Sequence, residues 1–253
     1  MQSRFPPVGM LPLMLLPGTL CDDRLFAEII EAAGRRPVLI GNMYGLTSIA
    51  ALSRKLLESA PPHFALTGFS LGGIVALEMA AIAPDRIAGL ALIGSNARNV
   101  PAAAHHHRRA AVRHGGSIGD YVRQQLWPSY VAYRNRGASQ LLDVIVSMAE
   151  ASPANALDEQ TEVALTRTDS RSRLNRYAKP TLILAGAEDA LAPPHLQQEM
   201  ADAFPNARLE LIADAGHFVL LEQPAATASA LRSWLERVDL TSVGADTQSV
   251  EAV

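Results

Sequence analysis

Six short runs rich in Val, Ile and Leu, at residues 11–16, 37–40, 64–67, 87–93, 181–185 and 208–212, alternate with longer stretches of helical spacing. Runs this short and this evenly apolar read as strands buried on both faces. Strands separated by helix-length segments are joined as parallel neighbours, because the chain has to cross back over the sheet between them. Helices are expected at 23–33, 48–58, 71–83, 194–204 and 225–238, with Pro84 and Pro205 stopping the third and fourth. The pattern predicts an α/β chain: a mostly parallel sheet of about six strands with helices on both faces. At 253 residues and 49% hydrophobic composition the chain has ample material for such a core, and disorder over most of its length is excluded.

Residues 99–176 break the rhythm. They carry no convincing strand and read as three or four short helices divided by Gly115-Gly116, Pro128 and Pro153. Because the sheet pattern resumes directly after them, they are expected to be a helical cap inserted into a core made of residues 1–98 and 177–240. Residues 241–253 are small and polar and are expected to form a flexible tail. Charge follows the same division. Residues 97–180 hold 12 Lys+Arg against 7 Asp+Glu, whereas the rest of the chain holds 10 against 18.

Several function classes fall away on composition. A net charge of −3 gives no global basic excess, so no nucleic-acid partner is expected. The single cysteine, Cys21, makes neither an internal disulfide nor a thiolate zinc site, and a buried thiol in a reducing, cytoplasmic setting is the expectation. No apolar run reaches the roughly 18 residues of a membrane span. Residues 10–16 are interrupted by Pro12 and lack a small-x-small cleavage pattern after Leu16, so they read as a strand and not as a signal core. His105-His106-His107 suggests a metal site at first sight, but adjacent helical residues project about 100° apart and do not converge on one ion. No metal site is expected.

Chemistry concentrates at three points. Gly68-Phe69-Ser70-Leu71-Gly72 follows an apolar run and opens a helix, the strand, sharp turn, helix setting that makes a G-x-S-x-G sequence a nucleophile elbow. A serine at the apex is lifted clear of the sheet, and the Leu71 amide at the helix start faces the same spot. A serine hydroxyl needs a base, and the base needs an orienting acid. His217 stands directly after the last apolar run and Asp189 directly after the penultimate one, both at the carboxyl edge of the sheet. Glu188 and Asp214 are the neighbouring acids and read as polar loop residues. No acid follows the fourth run, where Ser95 and Asn96 stand.

Leu16-Pro17-Gly18-Thr19, 68–73, 186–193, and Gly216-His217 with Glu222-Gln223-Pro224 occur in the order found in α/β-hydrolase-fold serine hydrolases. The chain resembles that family, in its esterase and lactonase-like branch with a helical cap. The resemblance implies Ser70 as nucleophile, His217 as general base and acid, and Asp189 as the acid that orients the imidazole. It implies an oxyanion hole made by the N–H groups of Leu71 and Thr19, with Leu20 as the neighbouring candidate. It implies no metal or organic cofactor. The chain departs from the family in carrying Pro17-Gly18 where members often have His-Gly. About ten residues precede the first run, too few for the two leading strands of the eight-stranded form, so six main strands are expected.

The implied activity is cleavage of a carboxylic ester, a lactone or a thioester of a small molecule through an acyl-serine intermediate. Carbon–carbon bond hydrolysis and cofactor-free lyase or perhydrolase chemistry use the same triad and stay open, as does a ligand-binding protein that keeps the fold without the chemistry. Leu20, Trp127 and Arg123 are the candidates for substrate contact, with Tyr130 beside Trp127. Arg108, Arg109, Arg113 and Arg134 join Arg123 in two open readings: a salt-bridged helical surface, or an entrance that favours anionic substrates. The oligomeric state is not legible.

Overall fold

The computed structural model describes residues 10–113 and 115–250, with side chains described as far as residue 242. Six strands, β1 (Leu13–Leu16), β2 (Val38–Ile40), β3 (Phe64–Phe69), β4 (Ile87–Ile93), β5 (Thr181–Gly186) and β6 (Ala207–Ile212), form one sheet in the order β2-β1-β3-β4-β5-β6. Every pairing is parallel. The interior strands β3 and β5 are buried at every residue, and the edge strands β2 and β6 are partly exposed. Along one strand the side chains alternate between two separate cores: Leu13 and Leu15 pack into one, Met14 and Leu16 into the other. That two-sided demand is why the sequence shows continuous apolar runs and not alternation.

The core helices are α1 (Ala27–Ala32), α2 (Ile49–Ser59) and α3 (Leu71–Ile82) in the first half, and α10 (Pro194–Ala203), α11 (Val219–Glu222) and α12 (Pro224–Val250) in the second. Between β4 and β5 the described chain is helix and turn: α4 (Ala102–Ala111), α5 (Ile118–Tyr121), α6 (Trp127–Tyr130), α7 (Ser139–Ala151), α8 (Ala156–Leu165) and α9 (Arg171–Leu174), with a π-helical turn at Val122–Leu126. The insertion therefore holds more and shorter helices than the three or four expected, because Gly, Pro and the π-helical turn break it repeatedly. Residues 241–250, read from the sequence as tail, are helical and continue α12; residues 251–253 of that tail lie outside the described residues.

The strand order reverses between β1 and β3, since β1 leads outward to β2 while β3 leads the other way to β4. Parallel sheets open a crevice at the carboxyl ends of strands at such a switch point. Thr19 follows β1 and Ser70 follows β3, so both stand at that crevice.

Candidate active site

Ser70 occupies a strained backbone, φ 51° and ψ −113°, between β3 and α3. Non-glycine residues avoid positive φ, and the surroundings over-determine it here. A side chain at Gly68 would run into the Gly72 carbonyl, and one at Gly72 into the carbonyl of Leu16, so strand and helix approach this closely only with glycine at both places. The Ser70 N–H donates to the Ile93 carbonyl at 2.8 Å and the Ser95 hydroxyl donates to the Ser70 carbonyl at 3.0 Å, which pins the turn to β4.

Ser70, His217 and Asp189 are brought together. His217 Nδ1 lies 2.8 Å from Asp189 Oδ2, and His217 Nε2 lies 3.0 Å from Ser70 Oγ. Both Asp189 and His217 are buried. The other carboxylate oxygen of Asp189 accepts the N–H groups of Leu191 and Ala192, each at 2.8 Å. Burial pushes the Asp189 carboxyl up, but the His217 ring and these two amides outweigh it and hold the group below the ordinary aspartate value. An acid kept ionised in this way fixes a Nδ1–H on the imidazole and leaves Nε2 free to accept the serine proton. Phe69, with ring centroids 5.0 Å apart, and Phe218 flank the imidazole.

The two neighbouring acids have other partners. Glu188 accepts from the Tyr133 N–H at 3.3 Å, and Asp214 pairs with Arg134. Leu20 is resolved as well. It sits at φ 57°, and its buried N–H donates to Gln160 Oε1 on α8 at 2.9 Å. That amide is therefore occupied. The N–H groups of Thr19 and Leu71 donate to no protein acceptor among the described residues, and Thr19 lines the cavity above Ser70.

That cavity measures about 470 Å³. Its floor is Thr19, Phe69, Ser70 and His217, and its walls come largely from the insertion: Leu126, Tyr130, Leu157 and Gln160, with Arg108 among the lining residues. Tyr130 lines it. Trp127 does not: its indole N–H, buried and in need of an acceptor, finds the Arg136 carbonyl at 3.0 Å. Arg123 reaches out to Asp143 at 3.6 Å and Leu20 lines an adjacent cleft, so neither lines this cavity. Cys21 is buried, its thiol pushed well up by that burial and donating to the Thr19 carbonyl at 3.3 Å. No group of three His, Cys, Asp or Glu among the described residues is placed to hold a metal, and no helix among them is long and apolar enough to cross a membrane.

Two residues had no role assigned from the sequence. Gln160 ties the insertion to the loop after β1. Glu222 ties it to the histidine loop: one carboxylate oxygen accepts the Gly216 N–H at 2.8 Å, and the other accepts the Ala132 N–H at 2.7 Å and the Asn135 amide at 2.8 Å. Burial raises the Glu222 carboxyl above its ordinary value against the pull of these three donors. Glu222-Gln223-Pro224 was visible as a motif. Its partners were not, because they lie about ninety residues upstream.

A family model described as "Alpha/beta hydrolase family" matches residues 16–230. The pimeloyl-[acyl-carrier protein] methyl ester esterase of Aromatoleum aromaticum is 32% identical over 190 residues, covering 70% of this chain and 76% of that one. Among solved structures, a thermophilic esterase from Thermogutta terrifontis is 26% identical with a TM-score of 0.76, covering 90% of each chain. A hydrolase from Pseudomonas aeruginosa is 26% identical with a TM-score of 0.78, covering 89% of this chain and 90% of that one.

Proposed function

The chain belongs to the alpha/beta hydrolase family, and from that premise we propose that it hydrolyses a carboxylic ester, lactone or thioester of a small molecule through an acyl-serine intermediate. The observation that carries the reading is the hydrogen-bonded series Asp189, His217, Ser70, opening into a mostly apolar cavity. Esterases among the relatives support the class of bond.

In this reading Ser70 Oγ attacks the acyl carbon as His217 Nε2 takes its proton. The imidazolium is stabilised by the ionised Asp189 at Nδ1. The oxyanion is held by the N–H groups of Thr19 and Leu71, the second backed by the start of the twelve-residue α3. His217 then returns the proton to the departing alkoxide or thiolate. Water, deprotonated by the same nitrogen, releases the acid and restores Ser70. The occupied Leu20 amide favours Thr19 as the second donor.

A fluorophosphonate probe tests this directly. It should label the wild-type protein and not Ser70→Ala, and hydrolysis of p-nitrophenyl acetate should disappear with the label. A folded wild-type preparation that neither labels nor hydrolyses would overturn the reading and favour a ligand-binding protein on the same fold.

A further inference from the structure

Resting on that reading, and narrowing it to a class of substrate, we propose that Arg108 forms an anion-binding subsite in the lining of the Ser70 cavity, so that the substrate is an ester bearing a carboxylate at the end away from the scissile carbonyl.

The first observation is the wall itself. Histidine aside, Arg108 is the one formally charged side chain among the described residues that line the cavity, and no aspartate or glutamate lines it. The same lining includes Val112, Leu126, Leu157 and Phe218, which suit a methylene chain.

The second is a contrast among arginines. Arg109, the next residue on α4, is neutralised by Glu162 at 2.5 Å. Arg98 pairs with Glu199 at 2.6 Å, Arg171 with Asp169 at 2.5 Å, and Arg173 with Glu78 at 2.6 Å. Arg108 forms no ion pair with any described residue. Arg113 forms none either, but it lies in a surface cleft with Asp158, Glu159 and Glu162, where carboxylates already supply the counter-charge.

The third is Arg167, which the sequence did not single out. Its Nε donates to the Arg98 carbonyl at 2.8 Å, and no carboxylate pairs with it among the described residues. Burial, with the charge of Arg108 added, draws its guanidinium down to about 10. Guanidinium groups given no counter-ion by any described residue are relieved by an anion from outside. A planar guanidinium fork matches a carboxylate. The lining thus combines an acyl-transfer serine, an apolar stretch and an unpaired guanidinium, which fits a monoester of a dicarboxylic acid.

The test uses two 4-nitrophenyl esters of equal shape: that of adipic acid, with a free terminal carboxylate, and that of adipamic acid, with a terminal amide. At low ionic strength the wild-type protein should prefer the acid in kcat/KM by about tenfold to a hundredfold, the range of a charge-assisted hydrogen bond. The preference should sit mainly in KM and shrink as salt is added. Arg108→Gln should bring the acid-to-amide ratio near one, and Arg167→Gln should lower it by less. A wild-type ratio of one or less, or a ratio untouched by Arg108→Gln, overturns the subsite while leaving ester hydrolysis intact. If neither ester is turned over, the hydrolase reading falls separately. The subsite is then read by calorimetric binding of methyl hydrogen adipate against methyl adipamate to Ser70→Ala, where equal affinities, or a difference that survives Arg108→Gln, overturn it.

Discussion

The sheet and the insertion contribute to the same cavity and are built on different rules. In the sheet, β3, β4 and β5 are almost wholly buried, and the elbow is so tight that backbone atoms fill the space a side chain would need. In the insertion, α4 buries no residue at all, α5, α6 and α9 are four residues each, and a π-helical turn interrupts the run. The insertion is tied down by buried apolar residues such as Val122, Tyr130, Ile145 and Leu157 that join the core, and by polar contacts: Glu222 and Glu188 on the loop after α6, Gln160 on the loop after β1, and ion pairs to Glu199, Asp214 and Glu78 of the core. The groups proposed to move protons are thereby placed by backbone that has no room to shift. Those proposed to meet substrate are carried largely on insertion side chains that can change without disturbing the sheet.

If this division holds, the largest single effect should come from the core. Asp189→Asn is expected to lower kcat on p-nitrophenyl acetate by about 10⁴-fold with KM nearly unchanged, because the wrong tautomer is then presented to Ser70. A loss under tenfold would break the proposed role of the acid. The same variant should alter acid stability. The Asp189 carboxyl is held below its ordinary 3.8, so the stability it contributes is present above that pH and is lost as pH falls through the lower folded value. Thermal melts from pH 5 to pH 2 should show the wild type losing its advantage over Asp189→Asn.

Next in size is packing. Leu92→Ala, at a fully buried position of β4, should cost about 2–5 kcal/mol in a urea titration. Removing the insertion's latch should be smaller for stability and visible in kinetics. Glu222→Gln cannot accept on both oxygens and should lower kcat on the order of tenfold with little change in KM, since it loosens Gly216 next to His217. An unchanged kcat would make Glu222 a purely structural strut. Its pH signature runs opposite to that of Asp189. A carboxyl raised in the folded state stabilises below its ordinary 4.5 and loses that contribution as pH rises through the folded value. The Tm difference between wild type and Glu222→Gln should therefore narrow from pH 4 to pH 7. Smallest of all is Arg109→Gln, an exposed pair on α4 whose loss should leave Tm unchanged and the acid-to-amide ratio unaltered. A fall in that ratio would move the anion subsite from Arg108 to its neighbour.

The strands, the elbow and the order Ser70, Asp189, His217 were legible because each rests on short-range signals. Apolar runs mark strands buried on both faces, and glycines at 68 and 72 mark a turn that admits no side chain. The wall of the cavity was legible only in part. Tyr130 lies on it, but Trp127 satisfies its N–H on the Arg136 carbonyl, and Arg123 pairs with Asp143. Neither choice follows from position along a helix once a π-helical turn has shifted the register around them.

The charge division between residues 97–180 and the rest shows where the line falls. Composition alone determined that a basic segment stands between a charge-balanced one and an acidic one, and local backbone preference determined that this segment leaves the sheet after β4 and returns at β5. Which of those charges stay available was decided only on folding, because an ion pair needs a partner brought from afar: Glu162 lies 53 residues from Arg109, and Glu199 lies 101 from Arg98. Strand and turn propensities act through neighbouring residues, whereas neutralisation acts through space. Among the described residues Arg108 is left without an ion pair by the tertiary arrangement and by nothing written beside it in the chain.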